Sequence, residues 1–354
     1  MNMPVLPHPS NIAAALAPII LGVAVVGGAS RQESPDSNLA NFIFFNRDRH
    51  RIADAAFLET ETIAGAQLKY TWRELEPERN RYELAPLLED LASLTKHGKK
   101  LFVQLQDVSF DERVNVPDYL HTDPEFGGGS ARKYEVDDDD DDESGARFDG
   151  WVARRWDPAV RARFAKLLAA LGQALDGKIE GLVLPETSIA FGESGRLHPE
   201  GFSYEAYVEG IKATMTAARK AFLTSHVIQY ANFMPGEWLP WEDRGYLRAV
   251  YEHAERIGVG VGGPDILPHR KGQQQHSYPL ITRRGAETVA GLAVQSGNLE
   301  DENPATHDPV TVAELYEFAT KRLRLNYIFW GTQEPYYSEQ VLPFLRRLRQ
   351  ADDR

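Results

Sequence analysis

Residues 181–191, GLVLPETSIAF, run from an apolar stretch into a proline and then a carboxylate. Pro185 has no N–H to offer a sheet, so it ends a strand's hydrogen-bond ladder. Glu186 follows at once. A charge at the end of a buried segment is costly unless something pairs with it or uses it, and acid–base work takes a second group to complement the first. The other polar or aromatic residues that close apolar runs are Asn46, Trp72, Gln104, Gln106, Asp107, Asn232, Asp265, Gln295, Trp330, Gln333 and Glu334. Carboxylates, amides and tryptophans dominate this set, and basic residues are scarce. Amides and carboxylates bind hydroxyls in pairs, and a tryptophan face stacks on the apolar face of a sugar ring. The set points to a carbohydrate cleft and away from phosphate recognition.

The elements that must position these groups alternate regularly. Strand-like runs at 41–45, 64–72, 100–108, 179–186, 226–234, 259–267, 288–297 and 325–332 are separated by mostly helical segments. Helical patterns cover 85–98, 157–177, 203–223, 243–258, 311–323 and 338–350. Asp157 stands as an N-cap before Pro158, and Gly177 lies past that helix's end. Eight strands with helical crossovers predict an α/β fold, a (β/α)8 TIM barrel in a single domain with long βα loops. A doubly wound open sheet would want a glycine-rich phosphate loop after its first strand, and FNRDRHR is not one. In a barrel, the ends of the strands form the functional face, so the residues above would meet there. The segments 110–156 and 268–287 read as long loops. The first shows no core segment, and the second replaces or distorts the sixth helix. The run Asp137 to Asp142 reads as a solvated tip.

The chain has 354 residues, a formal charge of −13 and no cysteine. Disulfides, thiol catalysis and cysteine-based zinc sites are excluded. The acidic balance argues against nucleic acid as a partner. No HExxH, Walker or GxSxG motif is present, the histidines have no ligand spacing, and no metal or organic cofactor is implied. Residues 12–29 form an uncharged apolar run that ends in small residues, as an export signal does. The expected organisation is a leader or N-terminal anchor at 1–30 and a barrel at 31–354, in a secreted or periplasmic protein.

The segment WRELEPERNRYEL, residues 72–84, resembles the second-strand motif of clan A glycoside hydrolases, matched here by Trp72, Glu76, Pro77 and Tyr82. HGKKLFVQL (97–105) resembles the strand that follows. YANFMPGEW (230–238) and VGVGGPDILP (259–268) are similar to the fifth and sixth strands of family 42 β-galactosidases. Family 5 cellulase-like enzymes share the plan. The resemblance implies two glutamates, an acid/base after the fourth strand and a nucleophile after the seventh. The first carries over to Glu186, with Pro185 in place of the clan's preceding asparagine. The second does not carry over, because the seventh strand ends in Gln295. Asp265, Glu334, Glu237 and Glu300 are the carboxylates that could replace it. Asp265 and Glu334 stand on or after strands that flank the seventh, and the rigid Gly-Gly-Pro setting favours Asp265.

Two readings follow. The first is a glycoside hydrolase acting on a neutral oligo- or polysaccharide, with Glu186 as general acid/base and Asp265 or Glu334 as its partner. Trp72, Gln104, Gln106, Asn232, Gln295 and Trp330 would bind substrate. The second is a barrel that binds carbohydrate without cleaving it, having lost its nucleophile.

Overall fold

The computed structural model describes residues 39–135 and 143–352. The leader at 1–30 and the aspartates 137–142 lie outside the described residues. Eight parallel strands close into a barrel: β1 (Ala40–Asn46), β2 (Ile63–Thr71), β3 (Lys100–Gln106), β4 (Gly181–Leu184), β5 (His226–Tyr230), β6 (Gly260–Gly263), β7 (Ala290–Val294) and β8 (Tyr327–Gly331). Each pairs with its sequence neighbours, and β1 pairs with β8 from Ala40 opposite Tyr327 to Phe44 opposite Gly331. The expected (β/α)8 barrel is the observed fold.

The strands are buried on both faces, which is why they read as nearly continuous apolar runs. Side chains alternate between two separate cores. Phe42, Phe102, Ile228, Tyr327 and Phe329 belong to a cluster inside the barrel, while Ile43, Leu101, Leu182, Val227 and Ile328 pack outward under the helices. Within the barrel the rings meet edge to face, with centroids 5.0 Å apart for Phe42–Phe102 and for Phe102–Phe329. Gly181 makes room for them. A Cβ there would lie 2.4 Å from the Phe102 ring. This aromatic plug fills the floor, so the polar groups gather at the strands' C-terminal end.

The helices start where the sequence says they should. Asp157 accepts from the N–H groups of Ala159 and Val160 to cap Pro158–Leu175, and Ser203 caps Tyr204–Ala221 through Ala206. The 268–287 segment forms two short helices, Lys271–Gln275 and Ser277–Arg283, where a single longer one was replaced.

The 110–156 segment departs from expectation. It folds back as an antiparallel hairpin, Ser130–Glu135 with Arg147–Ala153, and it buries Leu120, Phe126, Ala131 and Val152. Glycines and charges hid the alternation of two short strands. The hairpin is stitched to the barrel mouth, since Ala153 N–H donates to Asp107 O (3.0 Å) and Tyr134 N–H donates to Ala190 O (3.0 Å).

The motif at 72–84 is a buried brace. Glu76 is wholly buried, accepts from Trp72 Nε1 (3.0 Å) and from Asn80 N–H (3.0 Å), and forms an ion pair with Arg163. Arg163 also donates to Asn80 Oδ1, Tyr82 OH and Tyr119 OH. This network ties the end of β2 to helix Pro158–Leu175. Glu76→Ala leaves Arg163 an uncompensated buried charge, which should lower stability by about 3–5 kcal/mol, read from the guanidinium denaturation midpoint. A loss under about 1 kcal/mol would mean that the brace does not hold these elements.

Candidate active site

Glu186 sits two residues past β4, on backbone clamped from two sides. Arg155, two residues past the strand that closes the hairpin, forms a bidentate ion pair with Asp107 at 2.9 and 2.5 Å. The same guanidinium donates to the main-chain oxygen of Glu186 (2.7 Å) and to Tyr207 OH (2.8 Å). Tyr207 in turn donates to Thr187 O (3.0 Å). Asp107, Arg155 and Tyr207 are all buried, so this clamp works in a low-dielectric setting where it is strong and costly to break. Gln229 donates to Pro185 O (2.7 Å) and completes the fixing of the turn. With its backbone held, the Glu186 side chain reaches the barrel mouth, where Asn232 Nδ2 donates to Oε2 (3.1 Å).

Asp265 follows β6 and is held as firmly. Asn298 Oδ1 accepts from the N–H groups of Ile266 (3.2 Å) and Gln295 (3.0 Å). That fixes the amide's orientation, so its Nδ2 must face Asp265 Oδ1, at 2.9 Å. Tyr278 OH donates to the Asp265 main-chain oxygen (3.3 Å) while accepting from Leu267 N–H.

The electrostatics set these two carboxyls apart. Burial pushes the Glu186 carboxyl above the usual range, the Asn232 hydrogen bond opposes that, and the negative charge of Asp265 raises it further. Lys133 and Arg155 pull in the other direction. Burial also raises Asp265, against the bond from Asn298. Asp265 is the only carboxylate among the leading influences on Glu186.

The rest of the mouth is a polar layer above the aromatic plug. Lys69 of β2 stands in register with Gln104 of β3, and Gln67 donates to Tyr230 OH (3.1 Å). Three buried amide oxygens in this layer have no hydrogen-bond partner among the described residues: Gln67 Oε1, Gln104 Oε1 and Asn232 Oδ1. Gln106 is buried one register step further along, opposite Thr71. Gln295 continues the inward alternation of Gly291 and Ala293 past the end of β7, and it is half-buried. Lys133 from the hairpin is 1 % exposed, donates to Asp149 (2.9 Å) and lies 3.8 Å from the Phe110 ring centre. Among the described residues, no group of three or more His, Cys, Asp or Glu side chains could hold a metal ion.

Several expected residues lie elsewhere. Trp72 is wholly buried against Phe164, with centroids 4.8 Å apart, and its N–H is committed to Glu76. Trp330 is wholly buried in the outer core and donates to Asn41 (3.0 Å). Neither ring can reach a ligand. Phe329 faces inward, so Trp330 must face the helices. Glu334 is exposed and accepts from Ser338 N–H and Oγ, holding the turn that follows β8. Glu237 accepts three backbone N–H groups, from Arg244, Tyr246 and Leu247, and so caps helix Tyr246–Ile257. Glu300 is bound by Gln333 on the rim. None of the three carboxylates joins Glu186.

Residues that sequence reasoning passed over take their place. Arg155, Asn298, Lys69 and Lys133 shape the site. Trp238 and Trp241 are about half exposed, and Trp238 borders a groove of about 390 Å³ lined by residues 188–193 and 233–238. His276, in the segment read as a long loop, is buried. Its Nε2 accepts from Leu239 N–H (2.9 Å) while Nδ1 meets Gly272 O (2.7 Å), which requires the neutral Nδ1–H tautomer. The ring wedges beneath Phe233 and Trp238 and supports the groove's edge.

Because the folded Glu186 value lies above the unfolded one, the folded state keeps a proton the unfolded chain has lost, and stability falls as pH rises through the folded value. Glu186→Gln removes that loss. Its melting temperature should match wild type below about pH 4 and exceed it at pH 8. An equal or lower melting temperature at pH 8 would contradict the strained-carboxyl account.

No family model matches the chain, and no curated protein matches it. Among solved structures it is similar to the catalytic domain of beta-amylase from Paenibacillus polymyxa, at 7 % identity and TM-score 0.52, over 83 % of this chain and 92 % of that one. It is also similar to a GH10 endoxylanase from a sugarcane soil metagenome, at 13 % identity and TM-score 0.50, over 87 % and 90 %. A GH5_18 variant from Streptomyces cattleya, solved with Manb1-4GlcNAc, aligns at 14 % identity and TM-score 0.52, over 87 % and 80 %. At such identities the likeness is one of fold, and the structural neighbours are glycoside hydrolases built on the same barrel.

Proposed function

We propose that this protein is a glycoside hydrolase acting on an oligo- or polysaccharide, with Glu186 as general acid and Asp265 as its partner. The observation that carries this reading is the pair itself. Two carboxyls from different strand ends converge on the barrel mouth, each is raised by burial, and the charge of one raises the other. In this reading Glu186, whose carboxyl is raised by burial and by the charge of Asp265, carries the proton, and Asp265 is ionised. The protonated Glu186 gives its proton to the leaving glycosidic oxygen. The ionised Asp265 stabilises the positive charge that develops on the sugar ring, as nucleophile or as base toward water. Asn232, bonded to Glu186 Oε2, aims the acid. The unpartnered oxygens of Gln67, Gln104 and Asn232 are acceptors for sugar hydroxyls, and exposed Trp238 offers a stacking face at the groove. The apolar run at 12–29 supports export.

Gln295 favours the second reading, a barrel that binds sugar without cleaving it, because it puts an amide at the strand end where the resembling clan has its nucleophile.

Turnover of a panel of aryl glycosides decides between them. The first reading expects measurable hydrolysis, reduced about 10²–10⁴-fold in Glu186→Gln with KM little changed, and a comparable loss in Asp265→Asn. Binding of oligosaccharides by wild type with no turnover of any substrate would establish the second reading instead.

A further inference from the structure

A second concavity opens on the other side of the mouth, after β1 and β2, which lie four and three strands around the ring from β5. It has a volume of about 470 Å³ and is lined by Arg47, Thr71, Arg73, Glu74, Arg113 and Asn115 among others. Two of its arginines are matched. Arg73 pairs with Asp118 at 2.7 Å, and Arg113 pairs with Asp111 at 2.9 Å. Glu74 is spent on the capping box with Thr71. Arg47 is exposed and has no hydrogen bond or ion pair with any described residue.

Lys69 stands next to it, inside the mouth. Its Nζ lies 5.5 Å from the ring centre of Phe44, a member of the barrel's interior cluster, and it too has no hydrogen bond or ion pair among the described residues. Burial, then the neighbouring charge of Arg47, pull its pKa down to about 8, against the opposing field of Glu186. Lys69, half-buried and without a hydrogen bond or ion pair among the described residues, faces the positive charge of Arg47, which is unfavourable for the protein alone. Glu186 is a poor counterion, because burial disfavours its charged form. Beside Lys69, in strand register, Gln104 holds a buried oxygen that needs a donor. A group that brought one negative charge together with hydroxyl donors would satisfy all three residues at once. A lysine supplies a point charge and an arginine a planar fork, which together suit a carboxylate or sulfate.

We propose that the part of the mouth between Lys69 and the adjoining cavity lined by Arg47, which the pairing of Asn46 with Leu68 sets side by side, is a subsite for a sugar unit carrying an anionic group, a uronate carboxylate or a sulfate ester. This rests on the carbohydrate reading of the mouth and replaces the expectation of a wholly neutral substrate at this one position. The sequence hid it because Lys69 lies two residues before the end of β2.

The test is calorimetric binding to the intact protein. Xylo-, gluco- and galacto-oligosaccharides are each compared in three forms: with a uronate unit, with that unit's carboxyl reduced to the alcohol, and with a sulfate ester. The proposal expects an anionic form to bind at least about tenfold tighter than the reduced form, with the gap closing as salt is raised. Arg47→Ala and Lys69→Met should each abolish most of that preference. Lys69→Met should melt no lower than wild type, since it removes an uncompensated charge, so a lost preference is not lost folding. Whether uronate or sulfate gives the gain identifies the anion. Equal binding of the reduced and anionic forms overturns the subsite and leaves the carbohydrate reading standing. A preference that survives both substitutions overturns the assignment to these residues. Binding of none of the oligosaccharides removes both the subsite and the reading it rests on.

Discussion

The Asp107–Arg155 ion pair is the constraint on which the site depends. β4 is only four residues long and is followed by a proline that cannot donate to a neighbour. Left to the sheet alone, the backbone that carries Glu186 would have little to hold it. Arg155 supplies what the ladder cannot, donating to the Glu186 carbonyl while Asp107 balances its charge and Tyr207 links it to the next carbonyl. The guanidinium comes from the hairpin inserted after β3, so that insertion is part of the site's frame. Its first strand also carries Lys133, whose charge acts on Glu186 from above. Buried, multiply bonded pairs of this kind are poor sources of net stability but strong determinants of geometry.

Below this clamp, the barrel divides into two layers with opposite duties. The aromatic plug of Phe42, Phe102, Tyr327 and Phe329 is dry and close-packed, and Gly181 allows the rings their positions. Above it lie Gln67, Lys69, Gln104, Tyr230, Asn232, Glu186 and Asp265, several with raised or lowered pKa values and three with unpartnered oxygens. Groups left unpaired in a fold are destabilising, and they cluster where binding or chemistry compensates. The plug supplies the stability that lets the upper layer remain strained.

Much of this was legible from the residues. The eight strands and their order followed from apolar runs spaced by helical patterns, and Pro185 marked where Glu186 leaves the sheet. The two tryptophans misled because the end of a strand was treated as sufficient. Alternation decides which face a residue takes, and with Phe329 inward Trp330 points outward. The same rule would have found Lys69, since Gln67 and Lys69 alternate with Leu68 and Tyr70 along β2. Arg155, Asn298 and Glu237 were beyond reach, because each acts on backbone brought near only by the tertiary fold. Glu237 caps a helix that starts nine residues later, a spacing no capping pattern contains. The hairpin was missed because its strands are short and rich in charge.

The account's central claim is that Glu186 and Asp265 titrate as a linked pair. Carbon-13 NMR of side-chain-labelled glutamate, with the Glu186 signal identified by its loss in Glu186→Gln, measures this directly in wild type and in Asp265→Asn. The account predicts a Glu186 midpoint above the ordinary carboxylate range in wild type and a clear fall when the Asp265 charge is removed. An ordinary midpoint, or one that does not move in Asp265→Asn, would contradict it.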